Sequence, residues 1–231
     1  MRSAATCCVF SVFSVNIFYM IITYHGVEFF RVQVGDTVIA FNPPSKDSKF
    51  KASRFGADLC FVTLNHQDMN GVSAVTLGEK KPFVVEGPGE YEVKGVFAKG
   101  LPSASVYGGE KRINTIYSVA FDGLNLAFLG AVFEPTLPAS VLEEFDDIDV
   151  LFVPIGGGGV LGPSEAEKIG VTLEPKLIIP MHYGSLGTPG ALKSFLKEAG
   201  AGGTKEIDKL TLKRKDLEGK EGEVVVLASN I

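Results

Sequence analysis

From Met20 onward the chain is a series of short β-branched and aromatic runs broken by Gly, Pro, Asn and Asp, and this pattern narrows its folds more than any single residue does. Runs at Ile21–Tyr24, Phe29–Val34, Thr37–Phe41, Leu59–Thr63, Phe83–Glu86, Glu90–Val93, Val96–Lys99, Thr115–Phe121 and Leu124–Leu129 precede any clear helical pattern. Such runs between turn-forming residues read as strands. Asp122-Gly123 between two of them is a two-residue hairpin signal. Later runs at Val150–Val153, Leu177–Ile179 and Glu223–Ala228 alternate with helical segments. Leu137–Phe145 reads as one helix, and Ser164–Leu173 as another, with Ser164 and Glu167 spaced as a capping box after Pro163. Thr188–Ala199 is the clearest. Thr188 would cap it, Pro189 takes the first turn, Leu192, Phe195, Leu196 and Ala199 share a face, and Gly200 stops it. Strands first and strand–helix alternation later predict an α/β chain of two β-rich halves packed together with helices outside.

The 231 residues suffice to bury a core without staples. A net charge of −5 gives no electrostatic case for nucleic acid or an anionic membrane. The densest basic stretch, Lys205 to Lys215, is interleaved with Glu206 and Asp208 and reads as solvated surface. Cys7, Cys8 and Cys60 offer neither a disulfide framework nor a CxxC knuckle, so a reducing, cytoplasmic location is expected.

Residues 4–24 carry no charge and follow Arg2, a length and order that also suit a membrane anchor or a signal. Ser11, Ser14, Asn16 and Thr23 interrupt that run, and Met20–Tyr24 at its end already reads as a strand. The preferred reading makes residues 1–19 an extension and 20–231 the domain. Anchoring through residues 4–24 and an extra ordered element at the N-terminus are the alternatives.

The strand-like Asp58–Thr63 runs into Leu64-Asn65-His66-Gln67-Asp68-Met69-Asn70. A strand that ends in closely spaced His and Asp can aim several ligands at one or two metal ions. His66 and Asp68 alone suit that task here. Further strand ends follow at Gly87-Pro88-Gly89-Glu90-Tyr91-Glu92-Val93, Asn114-Thr115-Ile116-Tyr117, Leu129-Gly130-Ala131, Val153–Gly158 and Ile179-Pro180-Met181-His182-Tyr183.

In this order the segments resemble the metallo-β-lactamase fold superfamily, and more narrowly its small Zn-dependent hydrolases related to ascorbate-6-phosphate lactonase. The resemblance implies a four-layer αββα sandwich with the site where the strands end. The family's motif, His-x-His-x-Asp-His with a later His, a bridging Asp and a last His, holds two ions that activate a bridging water. Position by position, His66, Asp68 and His182 match ligands, His66 serving one ion and Asp68 and His182 the other. Leu64 and Met69 replace two His, and Ala131 replaces the bridging Asp. Leu101–Arg112 contains no His, and Asn42 stands where relatives carry an Asp.

A degenerate centre is therefore expected, with no metal or one weakly bound Zn or Mn. The role expected is that of a non-catalytic homologue with a small-molecule ligand in the former cleft. The alternative keeps a mononuclear site of His66, Asp68 and His182, with Asp68 as ligand or base, acting on a phosphoester or lactone. Outside that constellation, His25 reads as a loop residue and Gly156–Gly159 as a flexible loop beside the cleft rather than a phosphate cradle. No nucleophile elbow appears. Glu90 reads as part of a turn leading into a strand.

Overall fold

In the computed structural model, residues 19–229 are described; the expectations for the N-terminal extension lie outside them except at its edge. The chain begins with β1 (Met20–Tyr24), β2 (Phe30–Val34), β3 (Thr37–Phe41), β4 (Leu59–Val62) and β5 (Phe83–Glu86). Next come β6 (Gly89–Val93), β7 (Val96–Ser105), β8 (Arg112–Phe121), β9 (Leu124–Phe128), α1 (Ala139–Glu144), β10 (Val150–Pro154), α2 (Pro163–Leu173), β11 (Leu177–Met181) and α3 (Ala191–Glu198). Short strands close the fold: β12 (Glu206–Ile207), β13 (Leu210–Leu212), β14 (Glu223–Val224) and β15 (Val226–Leu227).

One sheet has the order β13-β1-β2-β3-β4-β5 and the other β14-β11-β10-β9-β8-β7-β6, while β12 and β15 pair separately. Lys94-Gly95 and Asp122-Gly123 each place two successive residues at positive φ, the backbone that a tight hairpin between right-twisted strands requires. Pairing between β7 and β8 continues from Phe97–Ala120 to Ser105–Arg112, so both strands outrun the expected Val96–Lys99 and Thr115–Phe121. Phe29 lies outside β2 and packs on the opposite face of the first sheet from Phe30.

The inner faces of the two sheets meet in an aromatic-rich core. Phe41 stacks on Phe61 at 5.0 Å and on Phe128 at 4.5 Å, and Phe30 meets Phe152 edge-on at 4.9 Å. Such pairs add about 0.5–1.5 kcal/mol each beyond area burial. Outside the second sheet, Val141 of α1, Ala166, Ile169 and Leu173 of α2 and Phe195 of α3 pack on Ile116, Leu129, Leu151 and Val153. The first sheet's outer face (Val38, Ala40, Cys60, Val62) is covered by Phe29, Ala57 and Val75. Irregular chain and the 3₁₀ turn Val72–Val75 thus stand in for a helical layer on that side of the αββα sandwich.

Two expected caps are replaced. Gly162 is the N-cap of α2, with no side-chain cap, so the Ser164/Glu167 box does not form. α3 starts three residues later than expected, after Gly190 at φ +79, and Thr188 instead donates its N–H to the Gly156 carbonyl at 2.7 Å. The expected apolar face of α3 does pack, with Phe195 fully buried and Leu192, Leu196 and Ala199 partly so. β1 pairs with both β2 and β13, which makes Met20–Tyr24 a strand rather than the end of a spanning helix. Among the described residues no helix is long and apolar enough to cross a membrane.

Candidate functional site

The loops after β3, β4, β9, β10 and β11 gather at one edge of the sandwich, and buried amides hold them there. Asn42, at φ +45, accepts the Thr63 N–H and donates to Thr63 Oγ1 and Glu28 Oε2, each at 2.8 Å. Asn114 donates to the Leu129 carbonyl at 2.9 Å and accepts the Ala131 N–H at 3.0 Å. Gly130 turns between them at φ +61, where a Cβ would lie 2.5 Å from Thr63 Oγ1.

The segments that carried the family resemblance also have structural work here. Tyr117 donates to the Val62 carbonyl at 3.0 Å and accepts the Gly87 N–H at 3.0 Å, and Tyr91 bonds the Gly87 carbonyl at 3.1 Å. Glu90 is well exposed and lies apart from the cleft.

Leu64 and Met69, from the loop after β4, and Ala131, from the turn after β9, come together with Tyr107 and Val160 in one buried apolar cluster. Met69 and Ala131 are fully buried and Leu64 nearly so. Burying a Leu or Met side chain stabilises by about 1.5–3 kcal/mol. Imidazoles and a carboxylate at these positions would need partners that the cluster lacks. The three departures from the metal motif are therefore mutually consistent packing.

The three matching residues surround Tyr107. Its hydroxyl donates to Asp68 Oδ2 at 2.7 Å, while Ser48 Oγ donates to Asp68 Oδ1 at 2.5 Å. The Tyr107 ring meets His66 edge-on at 4.9 Å and His182 at 5.0 Å. Burial first, then the Asp68 carboxylate and Glu28, push the Tyr107 phenol well above its usual range, so it remains a donor. His66 Nδ1 accepts the Asp68 N–H at 3.2 Å. His182 Nδ1 lies 2.8 Å from Glu28 Oε1, with both residues buried. The backbone of His182 adopts φ +60 and its N–H reaches the Val27 carbonyl at 2.6 Å. Gly156 abuts this turn so closely that a Cβ would lie 2.1 Å from the His182 carbonyl oxygen.

The donor set does not fit a hydrolytic metal centre. Such an ion needs three or four N, O or S ligands converging at about 2.0–2.3 Å. Among the described residues no group of three or more His, Cys, Asp or Glu could hold one. His66 Nδ1 and His182 Nδ1 face a backbone amide and Glu28, and both Asp68 oxygens accept hydroxyl protons.

Glu28, Ser48 and Tyr107 are site residues that sequence reasoning missed. Tyr107 sits inside Leu101–Arg112, where the missing His drew attention to an absence rather than to the replacement. Glu28 is the lone acid in the apolar run His25–Phe30, a signal that was available. The cleft itself, about 750 Å³, is lined by Ser48, Lys49, His66, Asp68, Tyr107 and His182 together with Gly157, Gly158 and Thr188. His25 lies outside it. Its Nδ1 meets Ser53 Oγ at 3.1 Å, and burial, helped by Arg31, holds the imidazole pKa down to about 4.

Comparison with known proteins agrees with the fold. The chain is 24% identical over 197 residues to a metal-dependent hydrolase of Anoxybacillus flavithermus, covering 71% of this chain and 86% of that one. A metal-dependent hydrolase of Thermococcus kodakarensis is 39% identical over 67 residues, 29% of this chain and 30% of that one. A Thermotoga maritima structure, described as a candidate Zn-dependent hydrolase of the metallo-beta-lactamase superfamily, is 28% identical with a TM-score of 0.71 and covers 90% of this chain and 98% of its own. The metallo hydrolase Igni18 of Ignicoccus hospitalis shares the fold at 20% identity, with a TM-score of 0.60 and coverage of 84% of this chain and 99% of its own. Residues 21–182, well over half of the chain, match the beta-lactamase superfamily domain, and the chain belongs to that family.

Proposed function

We propose that this protein is a non-catalytic homologue of the metal-dependent hydrolases, in which packing has replaced the metal centre and the former cleft binds a small molecule. The convergence of Leu64, Met69 and Ala131 with Tyr107 and Val160 carries this reading. Relaxed selection on isolated ligands predicts scattered losses, whereas here the substitutions build one apolar plug. In this reading His66, Asp68 and His182 are cleft residues rather than metal ligands. A single Zn or Mn held by the three, with Asp68 as ligand or base for a phosphoester or lactone, requires them to leave their present partners. The folded unit is taken to start at Met20. A cytoplasmic location goes with the reading, supported by the buried free thiol of Cys60, whose pKa burial and Glu86 push up to about 12.

Metal analysis tests it. After incubation with Zn²⁺ or Mn²⁺ and dialysis, the expected result is far less than one ion per chain, with no rise in the unfolding midpoint. A ligand held at a hundred times its Kd would stabilise the fold by about 2.7 kcal/mol. One or two tightly held ions per chain, lost together with phosphodiester or lactone turnover in His182→Ala, would overturn the proposal.

A further inference from the structure

We propose that the cleft beside Tyr107 binds a small organic ammonium ion, whose N–H donors are received by His182 Nε2 in the field of the Glu28 and Asp68 carboxylates. This rests on the reading of the cleft as a ligand site. The first observation is an acceptor that lacks a donor. His182 is 1% exposed, yet it lines the cleft. Glu28 Oε1 lies 2.8 Å from Nδ1, and a carboxylate accepts, so Nδ1 donates to it and Nε2 is an acceptor in the neutral tautomer. Nε2 has no protein hydrogen-bond partner among the described residues and is not sealed off from the cleft. An acceptor that opens onto a cleft takes its donor from outside the chain, from water or from a ligand that displaces it.

The second observation is charge. Glu28 is 0% exposed and Asp68 4%, and neither meets a Lys or Arg among the described residues. Their partners are neutral hydroxyls, an amide and the two imidazoles. Two carboxylates in a partly desolvated site favour an incoming cation strongly. Among the described residues Lys49 is the one Lys or Arg lining the cleft, and its Nζ lies 5.0 Å over the Phe50 ring, while Asp47 adds a further negative charge at the rim. An anion would have to face these carboxylates with little compensation.

Chemistry separates an organic cation from a metal. A first-row ion demands several converging ligands at short range, which these residues do not provide. An ammonium group accepts looser geometry, bonding one nitrogen lone pair while aromatic faces screen the rest. The Tyr107, His66 and His182 rings form such a wall, and the cavity volume suits a small ligand.

The experiment is calorimetric titration of the full chain with n-propylammonium chloride, 1-propanol, inorganic phosphate and Zn²⁺, combined with ¹⁵N-histidine spectra. The expected result is saturable one-site binding of propylammonium that shifts the His182 ring nitrogens and weakens with added salt. Glu28→Gln should weaken it by about tenfold. If that variant fails to fold, Asp47→Asn at the exposed rim decides, with a loss of about twofold expected from removing one screened charge. No saturable propylammonium binding, or unchanged affinity in the folded Glu28→Gln or in Asp47→Asn, overturns the inference. Tighter binding of phosphate or propanol at His182 also overturns it, while leaving the cleft a ligand site. Stoichiometric Zn²⁺ bound at His182 overturns both that inference and the proposed function.

Discussion

The two ends of β4 each carry a nearly buried aspartate, and the contrast between them separates the stabilising edge of the sandwich from the functional one. At the start of the strand, Asp58 accepts from Lys80 Nζ at 2.8 Å, Lys94 Nζ at 2.5 Å and the Val38 N–H at 2.9 Å. Burial alone would raise its pKa, but these donors overcome that and hold it down to about 2. Beyond the other end, Asp68 has two neutral hydroxyls and the edge of His66. Asp58 is electrostatically complete within the chain. Asp68 is satisfied in hydrogen bonds but meets no Lys or Arg among the described residues.

The largest expected effect comes from restoring the family's acid at the functional end. Ala131→Asp should destabilise the fold by about 4 kcal/mol, because it places an unpaired charge in the apolar cluster. Urea unfolding with and without Zn²⁺ measures this. Recovery by Zn²⁺ would show that the ligand set can still assemble, contrary to the plug described above. Tyr107→Phe removes the hydroxyl that satisfies Asp68 and should cost about 1–2 kcal/mol, read from the urea midpoint. A neutral result would mean that Asp68 is solvated from the cleft.

Acid titration addresses the Asp58 end. Its folded pKa of about 2 lies below the ordinary 3.8, so its contribution is present above pH 3.8 and is lost as pH falls toward 2. The loss should not exceed about 1.4 kcal/mol per pH unit, and Asp58→Asn should flatten it. His25 has a folded pKa of about 4 against 6.5. Its stabilising preference for the neutral ring is therefore lost in a separate window, as pH falls from 6.5 through 4. Scans that show no slope in the upper window would place the His25 ring in contact with solvent. The smallest effect is expected from Lys94→Ala. Its side chain is 59% exposed, and an ion pair so screened contributes about 0.5 kcal/mol. A loss of several kcal/mol in thermal unfolding would assign Lys94 a buried role instead.

Much of the fold was legible in the sequence because its signals are local. Asp122-Gly123 adopts the two positive φ values that its residue types favour, and Leu192, Phe195, Leu196 and Ala199 form the packed face of α3 that their spacing predicts. The Ser164 box failed for a local reason, since Pro163 already opens α2 after Gly162, and the Thr188 cap for a tertiary one, since Thr188 is drawn to Gly156. At the site, His66, Asp68 and His182 were legible as cleft positions, whereas Tyr107 and Glu28 were not. Each acts on a residue far along the chain, Tyr107 on Asp68 and Glu28 on His182.

The sequence by itself determined the succession of strands along the chain, the Asp122-Gly123 hairpin, the packed face of α3 and the loss of three metal-motif positions, since each is written in neighbouring residues or in residue type. Only the tertiary structure decided that Leu64, Met69 and Ala131 fill one shared space around Tyr107, and that His182 is backed by a carboxylate 154 positions away. Packing and charge pairing depend on which side chains meet in space, and chain closure, not sequence proximity, sets those meetings.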